Sequence, residues 1–144
     1  MKLSVYLESS VISYYANEIS SDLKVAAEQR ITREWWSKVL PRLEVYISPF
    51  VIGEIRDGRA LNAADRLEAI RGVKVLPVTN LIHELAAVYI RKLALPKDDY
   101  VDAFHLAITA VHEMDFLVSW NCKHIANAFK FPLIRKINIS MGYK

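Results

Sequence analysis

The sequence predicts an α/β fold, a mainly parallel sheet with helices on both faces. Three observations carry this. Short strand-like runs alternate with longer amphipathic ones, cap and stop residues separate the runs, and the composition is that of a compact globular chain, 53% hydrophobic with 4 Gly and 5 Pro. Alternating strands and helices build βαβ units, and their crossovers lay helices over a parallel sheet. At 144 residues, the chain is expected to form one domain spanning 1–144, large enough for a full core.

The elements follow in order. Leu3, Val5 and Leu7 alternate with Ser4 and Tyr6, a period-2 pattern that ends at Glu8. Ser9 and Ser10 then read as a turn. Leu23, Ala27, Ile31, Trp35 and Val39 recur every four residues, an amphipathic stripe with Ser20 or Ser21 as cap and Pro41 as stop. A second strand, Glu44 to Ser48, runs into Pro49, whose fixed φ suits the first turn of a helix carrying Glu54.

A helix is expected over Ala63 to Arg71, with Asn62 as cap and Gly72 as stop, followed by a third strand over Val73 to Val78. Thr79 or Asn80 opens a helix whose Ile82, Leu85, Ala86, Tyr89, Ile90 and Leu93 share a face, and Pro96 breaks it. Another helix starts near Asp98. Phe116 to Ser119 reads as a fourth strand, and Arg135 to Ile139 as a fifth.

Charge and composition exclude several classes. Nothing approaches the run of about 18 apolar residues that a membrane helix needs, and MKLSVYLESS lacks the core of a signal peptide. One cysteine, Cys122, permits no internal disulfide and fits a reducing compartment, so a cytoplasmic protein is expected. With 4 Gly and neither G-x-G-x-x-G nor G-x-x-x-x-G-K-[ST], a nucleotide-binding α/β domain is disfavoured. The formal charge of +3 is uneven: every acidic residue precedes Phe116, while Lys123, Lys130, Arg135, Lys136 and Lys144 follow, a basic end that suits a polyanion or simply solvent.

In open α/β sheets the functional crevice lies beyond the carboxyl ends of the strands. Glu8 follows strand one, Glu54 sits early in the helix after strand two, Asp102 in the first turns of a later helix, and Asn121 after strand four. An acid after a strand is more often a cap or loop residue, but the common topological position argues for one site. Clustered carboxylates suit hard divalent cations, and such a centre hydrolyses phosphodiesters through a metal-activated water.

Asp99, Asp102, His105, Thr109 and His112 form a polar stripe at spacings of three and four on an otherwise apolar helix. His105 is expected to orient the Asp102 carboxylate without ligating the metal, or to pack, and His112 to face solvent. The hydroxyls of Ser9, Ser10 and Ser119 are placed to hold metal-bound water or phosphate, or to cap helices. Cys122 and His124 lack the paired spacing of a zinc site. Tyr14, Tyr15, Trp35 and Trp36 offer surfaces for stacking bases, or for core and interface packing.

The blocks VYLESSVISYY, FVIGEI and DAFHLAITAVHEMDFLVSWNCKHI resemble those of PIN-domain proteins, nearest to the VapC-like toxins of bacterial toxin-antitoxin systems. The resemblance spans nearly the whole chain and is most specific from Asp102 to Ile125. It implies a three-layer α/β/α sandwich, a homodimer, an antitoxin partner, and cleavage of RNA with Mg²⁺ or Mn²⁺. It places ligating acids at Glu8, where Asp is commoner, at Glu54 and at Asp102. A fourth acid is usual where this chain has Asn121, which offers a neutral carbonyl oxygen instead. A PIN-like module that binds RNA or protein without catalysis is therefore the competing expectation.

Overall fold

The computed structural model describes residues 1–58 and 61–144. Its sheet holds four strands, β1 (Ser4–Leu7), β2 (Glu44–Ile47), β3 (Lys74–Val75) and β4 (Phe116–Val118), all parallel in the order β3-β2-β1-β4. The helices are α1 (Ser9–Ala16), α2 (Leu23–Lys38), α3 (Pro49–Asp57), α4 (Ala63–Ala69), α5 (Asn80–Lys92), α6 (Tyr100–Val111) and α7 (Phe131–Ser140). Val5, Tyr6 and Leu7 are fully buried because helices cover both faces of the central strand. The period-2 alternation of β1 thus does not divide a wet face from a dry one: Tyr6 is in the core, and Leu3, before the strand, is exposed.

Four expectations are corrected. Ser9 and Ser10 do not open a turn; they are the first residues of α1, because the Glu8 side chain accepts the Ser10 N–H and so caps a helix there. Neither Ser20 nor Ser21 caps α2; Asp22 does, accepting the N–H of Val25 at 3.0 Å. Asn62 precedes α4 but has a left-handed backbone (φ 68°) and makes no side-chain cap bond. The third strand shrinks to Lys74–Val75.

The expected fifth strand at Arg135 to Ile139 is the helix α7. Pro132 sits in its first turn, where a fixed φ and a missing N–H are tolerated, and burial follows the helical period: Ile137 and Asn138 are buried while Ile139 is exposed. The Tyr89 hydroxyl donates to the Asn138 side chain, tying α7 to α5. As a result β4 is a sheet edge. Since Glu8 N–H bonds the Val118 carbonyl, the parallel register turns Leu117 N–H and C=O away from β1.

Apart from Trp35, the apolar stripe of α2 does not face the core. Leu23 is 87% exposed, Ile31 57%, and Val39 is exposed too, whereas the buried residues of this helix are Gln29 and Thr32. Gln29 stays inside because its amide is satisfied by the Ser20 N–H and the Glu18 carbonyl, and Thr32 because it accepts from the indole of Trp120 and donates to the Glu28 carbonyl. The stripe instead borders an apolar groove of about 550 Å³ between α2 and β4, lined by Leu3, Trp35, Val39, Leu43, Phe116 and Val118 among others.

Candidate active site

The strand order reverses between β1 and β4, which puts the crevice where Glu8 follows one strand and Ser119 the other. The buried Glu8 carboxylate accepts from four groups. At Oε2 it meets the Ser10 N–H at 3.0 Å and Ser9 Oγ at 2.8 Å; at Oε1 it meets Ser119 Oγ at 2.6 Å and the Ser10 hydroxyl. The N–H groups of Trp120 and Asn121 donate to Ser10 Oγ and Ser119 Oγ, each at 2.9 Å, which aims both hydroxyl protons at the acid. Burial alone would raise the Glu8 carboxyl, but the hydrogen bonds from Ser10 and Ser119, with His105 nearby, outweigh it and hold the group below its ordinary range.

Ser48 caps α3 and Pro49 starts it, bringing Glu54 round one turn later. Ser9 Oγ lies 2.9 Å from Glu54 Oε1, so one hydroxyl proton stands between two carboxylates and serves one at a time. Glu54 Oε1 also meets His105 Nε2 at 2.6 Å. Its Oε2 takes no hydrogen bond among the described residues. A cleft of about 400 Å³, lined by Phe50, Gly53, Glu54, Asp57, Tyr100 and others, opens beside it.

Asp102 lies in the first turn of α6, one turn before His105. Its carboxyl is raised chiefly by burial and by the negative Asp99; a hydrogen bond from Asn121 and the charges of His124 and His105 offset part of this. Asn121 Oδ1 accepts the His124 N–H at 3.1 Å, so its NH₂ group is what remains for Asp102. His124 meets Asp99 Oδ2 at 3.0 Å through Nε2 and Lys130 Nζ at 2.7 Å through Nδ1.

Glu8, Glu54, Ser9, Ser10, His105 and Ser119 therefore share one bonded cluster. Asp102 and Asn121 belong to a second, with Asp99 and His124; the Asn121 N–H to Ser119 bond and the helix turn from Asp102 to His105 join the two. Within each trio, Glu8–Glu54–His105 and Asp99–Asp102–His124, the ligand atoms lie within 4.8 Å of one another. Sequence reasoning missed Asp99 and His124 as partners of Asp102, although Asp99 stands three residues before it. It also missed Tyr6, which reaches His105 from beneath, and Ser48, which bonds the Tyr6 hydroxyl. His112 is turned to the Pro77 carbonyl, away from this cluster. The aromatic residues pair as Tyr15 with Trp36, centroids 4.0 Å apart, and Tyr14 with Trp120 at 5.7 Å.

A half-exposed carboxylate with an open oxygen, a second carboxylate that burial disfavours as an anion, and a third fixed as an anion make a donor set that fits a hard dication. No family model matches the sequence, and no curated protein matches it. Among solved structures the chain is similar to VapC20 of Mycobacterium tuberculosis, a sarcin-ricin loop cleaving toxin, at 20% identity over 87% of this chain and 95% of that one, with a TM-score of 0.64. The likeness shows the fold, the three-layer α/β/α sandwich of the PIN kind expected from the sequence.

Proposed function

We propose that this chain is a VapC-like PIN-domain endoribonuclease, which hydrolyses RNA phosphodiester bonds with Mg²⁺ or Mn²⁺ held by Glu8, Glu54 and Asp102. The observation that carries it is the coupling of the two acidic clusters at the switch point of this fold. The ion supplies a polarised phosphoryl oxygen and a water acidic enough to attack. Glu54 contributes its open Oε2 and Asp102 a carboxylate whose charge a cation relieves. Glu8 contributes a fixed negative charge, and an oxygen once a serine hydroxyl turns away. Asn121, with its oxygen engaged by His124, supports Asp102 through its amide and adds no charge of its own.

That arrangement also supports the alternative, a PIN-like module binding RNA or protein without catalysis. Purified protein and a generic RNA, with Mn²⁺ and with chelator, separate the two: metal-dependent cutting that Asp102→Asn removes supports the enzyme, and its absence supports the silent module.

The toxin reading adds partners. The groove between α2 and β4 carries Lys2 and Arg42 and no carboxylate, which suits an apolar, acidic segment of an antitoxin; the outer stripe of α2 suits a second copy of the chain. No helix is long and apolar enough to cross a membrane, and the free Cys122 accords with a cytoplasmic site of action.

A further inference from the structure

Beneath Glu54, three fully buried side chains form an unbroken line: Ser48 at the end of β2, Tyr6 on β1 and His105 on α6. Ser48 Oγ faces the Val51 N–H at 3.4 Å and the Tyr6 hydroxyl at 2.7 Å. The Tyr6 hydroxyl lies 2.6 Å from His105 Nδ1, and His105 Nε2 lies 2.6 Å from Glu54 Oε1. The ends fix the direction. The Val51 amide can only donate and an ionised carboxylate can only accept. The Glu54 end places an imidazole proton on Nε2; the Nδ1 of the neutral ring then accepts from Tyr6, and the Tyr6 hydroxyl, its one proton so used, accepts from Ser48, which keeps a lone pair for the Val51 N–H. Burial raises the Tyr6 phenol far above its ordinary range, with the Ser48 bond opposing and the charges of Glu54 and Glu8 adding to the rise, so it stays a donor. In the other neutral tautomer Nε2 and Glu54 Oε1 would meet as two acceptors, and Tyr6 would have to turn its proton to Ser48.

We propose that Tyr6 is a positioning residue for Glu54: by donating to His105 Nδ1 it holds the imidazole in the Nε2–H tautomer, which pins Glu54 Oε1 inward and leaves Oε2 to the crevice. The consequence for binding rests on the reading of Glu54 as a metal ligand; the tautomer does not. Tyr6 does not line the cleft beside Glu54, so its effect is exerted through His105, whereas Ser48 also acts on Glu54 through the cap of α3. Outer partners that orient a ligand in this way commonly govern roughly 10–100-fold in metal affinity.

The test uses the full chain. Imidazole ¹⁵N spectra of the parent should show His105 with an unprotonated Nδ1 and a protonated Nε2, and Tyr6→Phe, which keeps the ring, should mix or reverse that pattern. Calorimetric titration of Mn²⁺ alone should show Tyr6→Phe binding roughly 10–100-fold more weakly. In a His105→Gln background, whose amide has no tautomers, Tyr6→Phe should change affinity by less than about twofold. A protonated Nδ1 in the parent, whether as the other tautomer or as imidazolium, would overturn the proposal, and so would an equal loss from Tyr6→Phe in both backgrounds. If no variant binds Mn²⁺, the reading of Glu54 as a ligand fails, while the spectra still decide whether Tyr6 sets the tautomer.

Discussion

The side-chain oxygen of Asn121 accepts the backbone N–H of His124 at 3.1 Å, which turns the Asn121 amide toward Asp102. Asn121 is thus a donor to the acidic cluster, and Asn121→Asp replaces a donor with a charge. The metal-free variant should lose about 1–3 kcal/mol, because Asp102 trades a hydrogen bond for a second carboxylate. Mn²⁺ should restore that stability and bind more tightly than to the parent. Thermal unfolding with and without Mn²⁺ checks both; unchanged stability and affinity would mean that position 121 does not act on Asp102.

Asp102→Asn should cut RNA cleavage by roughly 100-fold or more while preserving the fold, since it removes a ligand charge from the ion that would polarise the phosphoryl group. Because burial raises the Asp102 carboxyl, the variant should unfold no more easily than the parent at pH 7. The check pairs initial rates on a generic RNA with melting curves: parental rates would remove Asp102 from the chemistry.

Glu8 sets the acid stability of the metal-free protein. Its carboxyl lies below the ordinary value of 4.5, so its contribution is complete above that pH and is lost as pH falls through the lower folded value. Glu8→Gln should be less stable at pH 7 yet lose less on acidification below about 4.5. Denaturant titrations at pH 3, 5 and 7 test this; parallel pH curves for both proteins would show Glu8 unshifted.

The exposed stripe of α2 predicts a homodimer. Ile31→Lys should leave the stability of the monomer within about 0.5 kcal/mol, since the residue is on the surface, and yet shift the protein to monomer by light scattering at micromolar concentration. A parent that is monomeric from the outset would end this reading.

The parallel order of strands and helices was legible because period and cap chemistry are local: β1 and α5 begin and end, and α3 and α6 begin, close to where their residues imply. Two errors share a cause, a pattern read without its partner. The α2 stripe has the right period, but the core side of the helix is built from Gln29 and Thr32, polar residues satisfied by groups far away in sequence. Ile137 and Ile139 alternate as in a strand, but Pro132 and the tie from Tyr89 to Asn138 impose a helix. The candidate acids Glu8 and Glu54 were marked by their positions after strands, and Asp102 by the polar stripe of its helix. Tyr6 and Ser48 were not, because in a doubly covered sheet a polar residue at a buried position shows its role only once its partner from another helix is in place.

Glu8 both starts α1 and charges the crevice. Among distant relatives of this chain, retention of an acid at this position would therefore follow from the need to fold and would persist in lineages that had abandoned catalysis. The acids at Glu54 and Asp102 carry no comparable obligation to begin a helix. On the proposed reading of the site, their joint presence or loss across relatives is the trace by which an active lineage is told from a retired one.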